Sequence, residues 1–311
     1  MDLPLNNELR FGWATFMDSL EAVRNTTALA DALSLDSLWV GDHIAFSLPM
    51  MDPLMQLAQA AVCSERLMLG TGVYLLPLRH PVTVAKQVAS LDRLSGGRVV
   101  FGVGIGGELP NEYAACGVPI TERGARLSEG IEVLRKLWRG HTISHHGKYY
   151  PFNDVLMLPE PVQSGGPPIW CGGRSTAALQ RAGRLADGYV SYVVTPDMYR
   201  CALETIAQAA AREKRLMDNF ATAHVLFFRI DRDFDSAWQC ATSQLSERYA
   251  SDFSGPAKKY CALGRPEDIA AQIAQFQMAG VRHFILDPVS PPQERREQIT
   301  RFAQQVKPLL G

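Results

Sequence analysis

Residues 168–193 read PIWCGGRSTAALQRAGRLADGYVSYV, and this stretch holds one complete structural unit. Pro168 to Cys171 is a short apolar run of strand type, Thr176 to Ala186 has helical spacing, and Gly188 to Val193 is again strand-like. Two strands joined by one helix over so short a distance run parallel, since antiparallel strands need only a turn between them. The turn between the first strand and the helix also carries chemistry. Gly172 and Gly173 free their backbone N–H groups, Ser175 adds a hydroxyl, Arg174 adds a guanidinium, and all four stand at a helix N-terminus, where a phosphate is favoured. The plainer role for Ser175 is to cap that helix after a glycine turn.

The same alternation continues in both directions. Upstream lie Leu9 to Phe16, Ser37 to Gly41, Leu67 to Val73 and Val99 to Val103, and downstream Ala223 to Ile230 and Val281 to Leu286, which makes eight strands in all. Val84, Val88 and Leu91, then Leu127, Ile131, Leu134 and Trp138, then Ile269, Ile273 and Phe276 form apolar helical stripes between them. Helix starts are marked by Asp18 with Glu21, by Thr195 before Pro196 and by Arg265-Pro266-Glu267-Asp268, and a closing helix follows Pro291 and Pro292. Eight such units predict a closed (β/α)₈ TIM barrel, an α/β fold, as one domain over residues 1–311. An open doubly wound sheet has the same periodicity, and the count of eight favours closure. The one long irregular stretch, from about Gly140 to Pro167 between the fourth helix and the fifth strand, is expected to be a lid or binding loop.

A chain of 311 residues with 31 basic and 32 acidic side chains carries a formal charge of −1, so no global field draws it to nucleic acid or an anionic membrane. A small-molecule substrate is the expected partner. The first twenty residues lack a basic segment followed by a long apolar one, and no apolar run is long enough to cross a bilayer, which predicts a cytoplasmic protein. Six scattered cysteines without a C-x-x-C pair predict neither a disulfide framework nor a zinc site, and most are expected to be small buried hydrophobes. His141, His145 and His146 stand in the irregular stretch without carboxylate or cysteine at helical spacing, so exposure to solvent is expected there and no metal.

In a barrel, chemistry sits on the loops after the strand ends. The second strand ends in Gly41-Asp42-His43, which brings an acid and an imidazole to the mouth. A histidine satisfied by a backbone carbonyl is the structural alternative. The third strand ends in Gly70-Thr71-Gly72-Val73, where glycine marks a bulge or a close approach to a ligand, or only a turn. The fourth opens into Gly102-Val103-Gly104-Ile105-Gly106-Gly107. This matches the G-x-G-x-x-G spacing, but Pro110 and a further Gly-Val-Pro follow, so no helix is expected before about Thr121 and the run reads as a loop approaching a flat ring or a phosphate. Glu108, Asn111 and Glu112 are polar candidates beside it. The chain has no G-x-S-x-G elbow and no P-loop.

Five segments together resemble the bacterial luciferase-like family of FMN-dependent monooxygenases and F420-dependent oxidoreductases. They are SLWVGDH (37–43), LGTGVYLLPLRHPVTVAKQVASLDRLSGGRVVFGVGIGG (69–107), the helix from Arg123-Gly124 to Trp138, PPIWCGGRSTAALQRAGRLADGY (167–189) and GRPEDIAAQIAQFQMAGVRHFIL (264–286). The wording of LPLRHP and LDRLSGGR is closer to the deazaflavin branch. The resemblance implies the barrel, F420 or FMN as cofactor, its phosphate on Gly172, Gly173, Arg174 and Ser175, and its ring against strands two to four. It also implies a non-proline cis peptide at Gly72-Val73 and a homodimer. By position it carries over Asp42, Gly72, Val73, Gly106, Gly107 and Asn111 as cofactor contacts. His43 and Glu108 are carried over as catalytic residues, although Gly106-Gly107-Glu108 has one residue more than the family's pattern at that glutamate.

The reaction this implies is hydride transfer between the ring and a small organic substrate, with a proton moved by His43. With FMN, oxygenation of the substrate by O₂ is the alternative. A phosphate-binding barrel lyase or isomerase would need a Schiff-base lysine or a metal cluster at the strand ends, and neither is clearly placed. A non-catalytic flavin-binding protein would share the site without turnover.

Overall fold

The computed structural model describes Leu5 and residues 7–46, 49–107 and 109–310. Eight parallel strands close on themselves: β1 (Arg10–Ala14), β2 (Ser37–Val40), β3 (Met68–Thr71), β4 (Val99–Val103), β7 (Ile169–Gly172), β8 (Gly188–Tyr192), β9 (Ala221–Ile230) and β11 (His283–Pro288) pair in that order, and β11 pairs back to β1. The expected strands are all present and the open-sheet alternative is excluded. A ninth parallel strand, β10 (Ala262–Gly264), hangs on the end of β9 outside the ring.

Helices α1 (Leu20–Ala32), α2 (Pro53–Cys63), α3 (Pro81–Ser95), α5 (Arg123–Leu137), α6 (Thr176–Leu185), α7 (Pro196–Arg212), α10 (Pro266–Met278) and α11 (Arg295–Arg301) surround the barrel. Thr195 caps α7 through Met198 N, and Asp268 accepts from the Arg265 amide at the start of α10, as their sequence positions indicate. The first helix differs, because Ser19, not Asp18, accepts from the Ala22 amide.

Side chains of a strand alternate between its two faces, and the paired register shows which face fills the barrel. Trp39, Val100, Trp170, Val190, Ala223 and Ile285 meet there in one buried cluster. The two indoles stack 5.1 Å apart. Room for them comes from glycine on the neighbouring strands, since a Cβ at Gly70 would lie 2.2 Å from Trp39 Cε3. Beneath them Trp39 Nε1 donates to Ser37 Oγ (2.7 Å), and Ser37 Oγ pairs with His283 Nε2 (2.8 Å). Burial pulls the His283 pKa down to about 3, so its ring is neutral. The barrel below the mouth is therefore a packed plug.

Four expectations need correction. The stretch from Gly140 to Pro167 is not irregular: it contains an antiparallel hairpin of β5 (Ile143–His145) and β6 (Phe152–Val155). It is pinned outside the barrel, where Glu129 of α5 accepts the Tyr149 and Tyr150 amides and Asp92 of α3 accepts those of Val162 and Gln163. These helix carboxylates hold the segment against α3 and α5. Within it His145 is buried between Lys136 and Glu129, against the expectation of exposure, while His141 and His146 are exposed. A short helix, α4 (Pro110–Ala115), begins well before Thr121, because Pro110 occupies the first helical position, where its missing N–H costs nothing. Of the six cysteines only Cys171 and Cys261 are buried.

Candidate active site

Extending the inward-facing register of each strand by one step to the C-terminal mouth divides its floor into two halves. On strands two to five the inward positions are Gly41, Gly72, Gly102 with Gly104, and Gly172, continuing from the pairs Trp39 with Gly70, Gly70 with Val100, and Gly102 with Trp170. On the remaining strands they are Tyr192, Val225 with Phe227, Asp287 and Ala14. One half is a shelf of bare backbone and the other is a wall of side chains.

Bare backbone is required at Gly102 and Gly104. A Cβ at Gly102 would lie 1.9 Å from Thr71 O, and one at Gly104 would lie 2.5 Å from Val73 Cγ2. The Gly72–Val73 peptide is cis, as the family resemblance implies, and Val73 stands on the glycine shelf between Gly104 and Gly172. Thr71 Oγ1 and Tyr74 N both donate to Gly102 O at 2.7 Å and fix the third-strand loop to the fourth strand. Asp42, carried over as a cofactor contact, is buried, takes a two-pronged ion pair from Arg79 (2.6 and 2.8 Å) and accepts the Leu75 amide (2.8 Å). Arg79 in turn lies over the Tyr74 ring. Asp42 is thus a clamp between the second- and third-strand loops.

His43 follows it on the rim. Its Nδ1 lies 3.0 Å from Glu112 Oε2, while the other oxygen of that carboxylate accepts the Ile44 and Ala45 amides at 2.6 and 3.0 Å. Glu112 belongs to α4 and is 1% exposed, so a fully buried carboxylate orients the imidazole. An ionised carboxylate only accepts, which makes Nδ1 the protonated nitrogen and leaves Nε2 to exchange a proton. One face of the imidazole stacks on Phe46 at 4.4 Å. The sequence reading placed Glu112 among polar loop residues without this partner. Glu108 lies outside the described residues, and Asn111 is exposed on α4.

The fifth-strand turn has the expected form. Gly173 adopts φ +129, a conformation that favours glycine, and the Ser175 hydroxyl accepts from the Ala178 amide (3.3 Å) at the head of α6. The Thr176 and Ala177 amides of this first turn have no acceptor within the helix. Arg174 is exposed, donates to Val193 O and lies 5.1 Å from the Tyr192 ring centre. A second guanidinium, which the sequence reading passed over, stands beside the fourth-strand loop: a Cβ at Gly107 would lie 3.1 Å from Arg123 Nε, and that nitrogen is buried without an acceptor. A flat shelf, a helix N-terminus with free amides and an orphaned buried donor fit a planar ring with an anionic tail. Among the described residues no group of three or more His, Cys, Asp or Glu is arranged to hold a metal.

The description "Luciferase-like monooxygenase" fits residues 8–306, almost the whole chain. The chain belongs to this family. Among its luciferase-like relatives, the F420-dependent glucose-6-phosphate dehydrogenase of Amycolatopsis mediterranei (strain U-32) is 28% identical over 90% of this chain and 92% of that protein. The phthiodiolone/phenolphthiodiolone dimycocerosates ketoreductase of Mycobacterium bovis (strain BCG / Pasteur 1173P2) is 27% identical over 97% of this chain and 98% of that one. The same barrel recurs in the coenzyme F420-dependent tetrahydromethanopterin reductase from Methanopyrus kandleri, with a TM-score of 0.81 at 21% identity over 98% of this chain and all of that one. That structure shares the closed barrel.

Proposed function

We propose that this protein is an oxidoreductase that uses F420 or FMN and moves a hydride between that ring and a small organic substrate. The observation that carries this reading is the His43–Glu112 pair held at the edge of the glycine shelf. Gly172, Gly173, Arg174 and Ser175, with the first amides of α6, would hold the phosphate, and Gly72, Val73, Gly106 and Gly107 would meet the ring. When bound, the ring gives or takes the hydride. The chain's own residues do the rest. The Asp42–Arg79 clamp keeps Val73 on the shelf, so a ring seated against it offers only its far face. His43 Nε2 receives the proton of a substrate hydroxyl or returns it to a substrate oxygen, and Glu112 stabilises the imidazolium formed in the first direction. Asn111 and Glu108 belong to the same proposed rim, Asn111 toward the cofactor and Glu108 toward the reaction.

The named relatives support this reading, since the dehydrogenase and the reductase are F420-dependent by name. Titrating the purified protein with F420 and with FMN, followed by ring fluorescence, tests it. Tight binding of one, with redox turnover that falls in His43→Ala while cofactor affinity holds, is expected. Binding without turnover would make the protein a flavin carrier, and binding of neither would end the reading.

A second copy of the chain is the proposed partner, and exposed Met55 and Val62 on α2 with Leu94 on the adjacent α3 support a helix-to-helix contact. Among the described residues no helix is long and apolar enough to cross a membrane, and a cytoplasmic location is the matching proposal. Light scattering of the purified protein tests the dimer.

A further inference from the structure

The short helix α4 touches the loops after strands two, three and four, and what it does there rests on the oxidoreductase reading above. Its six residues are too few to hold a helix by themselves, since isolated helices below ~12 residues are marginal in water. No side chain caps its N-terminus at Leu109. Its place is therefore set by the side chains it sends into its surroundings. Two neighbours do this, Glu112 and Tyr113, each 1% exposed.

Glu112 reaches the second-strand loop, where it accepts the Ile44 and Ala45 amides and faces His43 Nδ1. Tyr113 reaches the other two loops. Its ring packs with Leu75 and Leu78 of the third-strand loop and with Val118 and Ile120, which follow α4 in the chain. Its hydroxyl donates to Ile105 O in the fourth-strand loop. Ile105 immediately precedes Gly106 and Gly107, which take φ +53 and +113, backbone that favours glycine. Leu75 lies against the same pair, because a Cβ at Gly106 would stand 3.0 Å from Leu75 Cδ2. One side chain of α4 thus holds the carbonyl beside the proposed ring contacts, and the next one along the helix holds the imidazole.

We infer that Tyr113 is a positioning residue that ties the seating of the cofactor ring to the orientation of His43. Its hydroxyl fixes Ile105, and with it the Gly106–Gly107 backbone that would meet the ring. The same bond fixes α4, and with it the Glu112 carboxylate that selects the Nδ1-protonated form of His43. Hydrogen bonds weaken steeply as they lengthen or bend, so a displaced α4 loses its hold on that tautomer. Tyr113 acts through Ile105 and Glu112.

Tyr113→Phe tests this on the full chain, since it removes the hydroxyl and keeps a ring between Leu75 and Leu78. Two readouts need no substrate. The first is the dissociation constant, by ring fluorescence, for whichever of F420 or FMN the wild type binds. The expected loss is about two- to tenfold, what one hydrogen bond contributes. The second is the ¹⁵N spectrum of histidine-labelled protein in mildly alkaline buffer, where the His43 signals are those missing from His43→Ala. Wild type is expected to show a protonated Nδ1 and a bare Nε2, and Tyr113→Phe a mixture of both tautomers. Glu112→Gln, by contrast, is expected to move the second readout alone. Tyr113→Met also lacks the hydroxyl and fills the space with a flexible chain. It is the second variant should the first not fold, and the same two shifts are expected of it. A role confined to packing would lower the urea midpoint and move neither readout, and movement of one without the other would show that the two ends are not tied. Either result overturns the inference while the oxidoreductase reading stands. Failure of the wild type to bind either cofactor removes the reading itself.

Discussion

Glu112→Gln is the substitution that separates orientation from mere occupancy at His43. The carboxylate uses its two oxygens differently: Oε1 accepts two backbone amides, and Oε2 faces His43 Nδ1. A glutamine must keep its carbonyl toward the amides of Ile44 and Ala45, because turning its NH₂ toward two donors would leave three buried donors facing one another. The NH₂ then faces Nδ1, which becomes the acceptor, and the imidazole proton moves to Nε2. The ring keeps its place but holds the wrong tautomer and has lost its counter-charge. General acid–base assistance contributes ~10²–10⁴ in rate, so kcat is expected to fall by about that factor, or ~3–5 kcal/mol of activation free energy. The assay is steady-state turnover with saturating cofactor, with the cofactor dissociation constant and the pH profile measured on the same preparation. Expected are a cofactor Kd within twofold of wild type and a partial recovery of rate in Glu112→Asp. A kcat within threefold of wild type, or equal losses in Kd and kcat, would refute the orienting role.

Three other outcomes rest on the same geometry. Gly104→Ala puts a methyl 2.5 Å from Val73 Cγ2, so it should cost ~1–3 kcal/mol in a denaturant melt and weaken cofactor binding at least tenfold. Ser175→Ala removes the α6 cap and should cost ~0.5–2 kcal/mol of stability, together with affinity for the phosphate-bearing cofactor. His224 and His283 are both held neutral by burial, each with its pKa lowered to about 3 from 6.5. Since only the unfolded chain takes up these protons, stability is full above pH 6.5 and falls as pH drops toward 3, by about 2 kcal/mol for each histidine at pH 5. Urea melts at pH 7.5, 6 and 5 read this directly, and a flat profile would contradict the burial argument.

The barrel was legible because its information is local: period-2 apolar runs, helical stripes, and glycine or proline at the joints all lie within a few residues of one another. The glycine half of the mouth was legible for the same reason, since Gly41, Gly72, Gly104 and Gly172 each end a readable strand. Pairings across the sequence were not. The Glu112 bond to His43 spans 69 positions, and it depends on α4, which proline reading alone had removed. The Asp42 bond to Arg79 spans 37 positions and has no local signal either. The hairpin at β5 and β6 escaped notice because its strands are short and its polar groups are satisfied by helices far away in sequence. The segment that holds α8 (Phe234–Tyr249) and α9 (Ser254–Tyr260) drew no reading from the sequence, and Arg248 reaching Asp287 shows that it borders the mouth.

The central claim is that strands two to five supply a glycine shelf, carrying Val73, for a ring whose anionic tail sits on the head of α6, beside His43. A crystal structure of the protein soaked with the cofactor it binds tests this most directly. The account predicts phosphate oxygens within ~2.7–3.2 Å of the Thr176 or Ala177 amides, a ring over Gly41, Gly72, Gly104 and Gly172 against Val73, and His43 Nε2 facing the substrate side. A ring lodged among Tyr192, Phe227 and Asp287, or a phosphate held away from the α6 N-terminus, would contradict it.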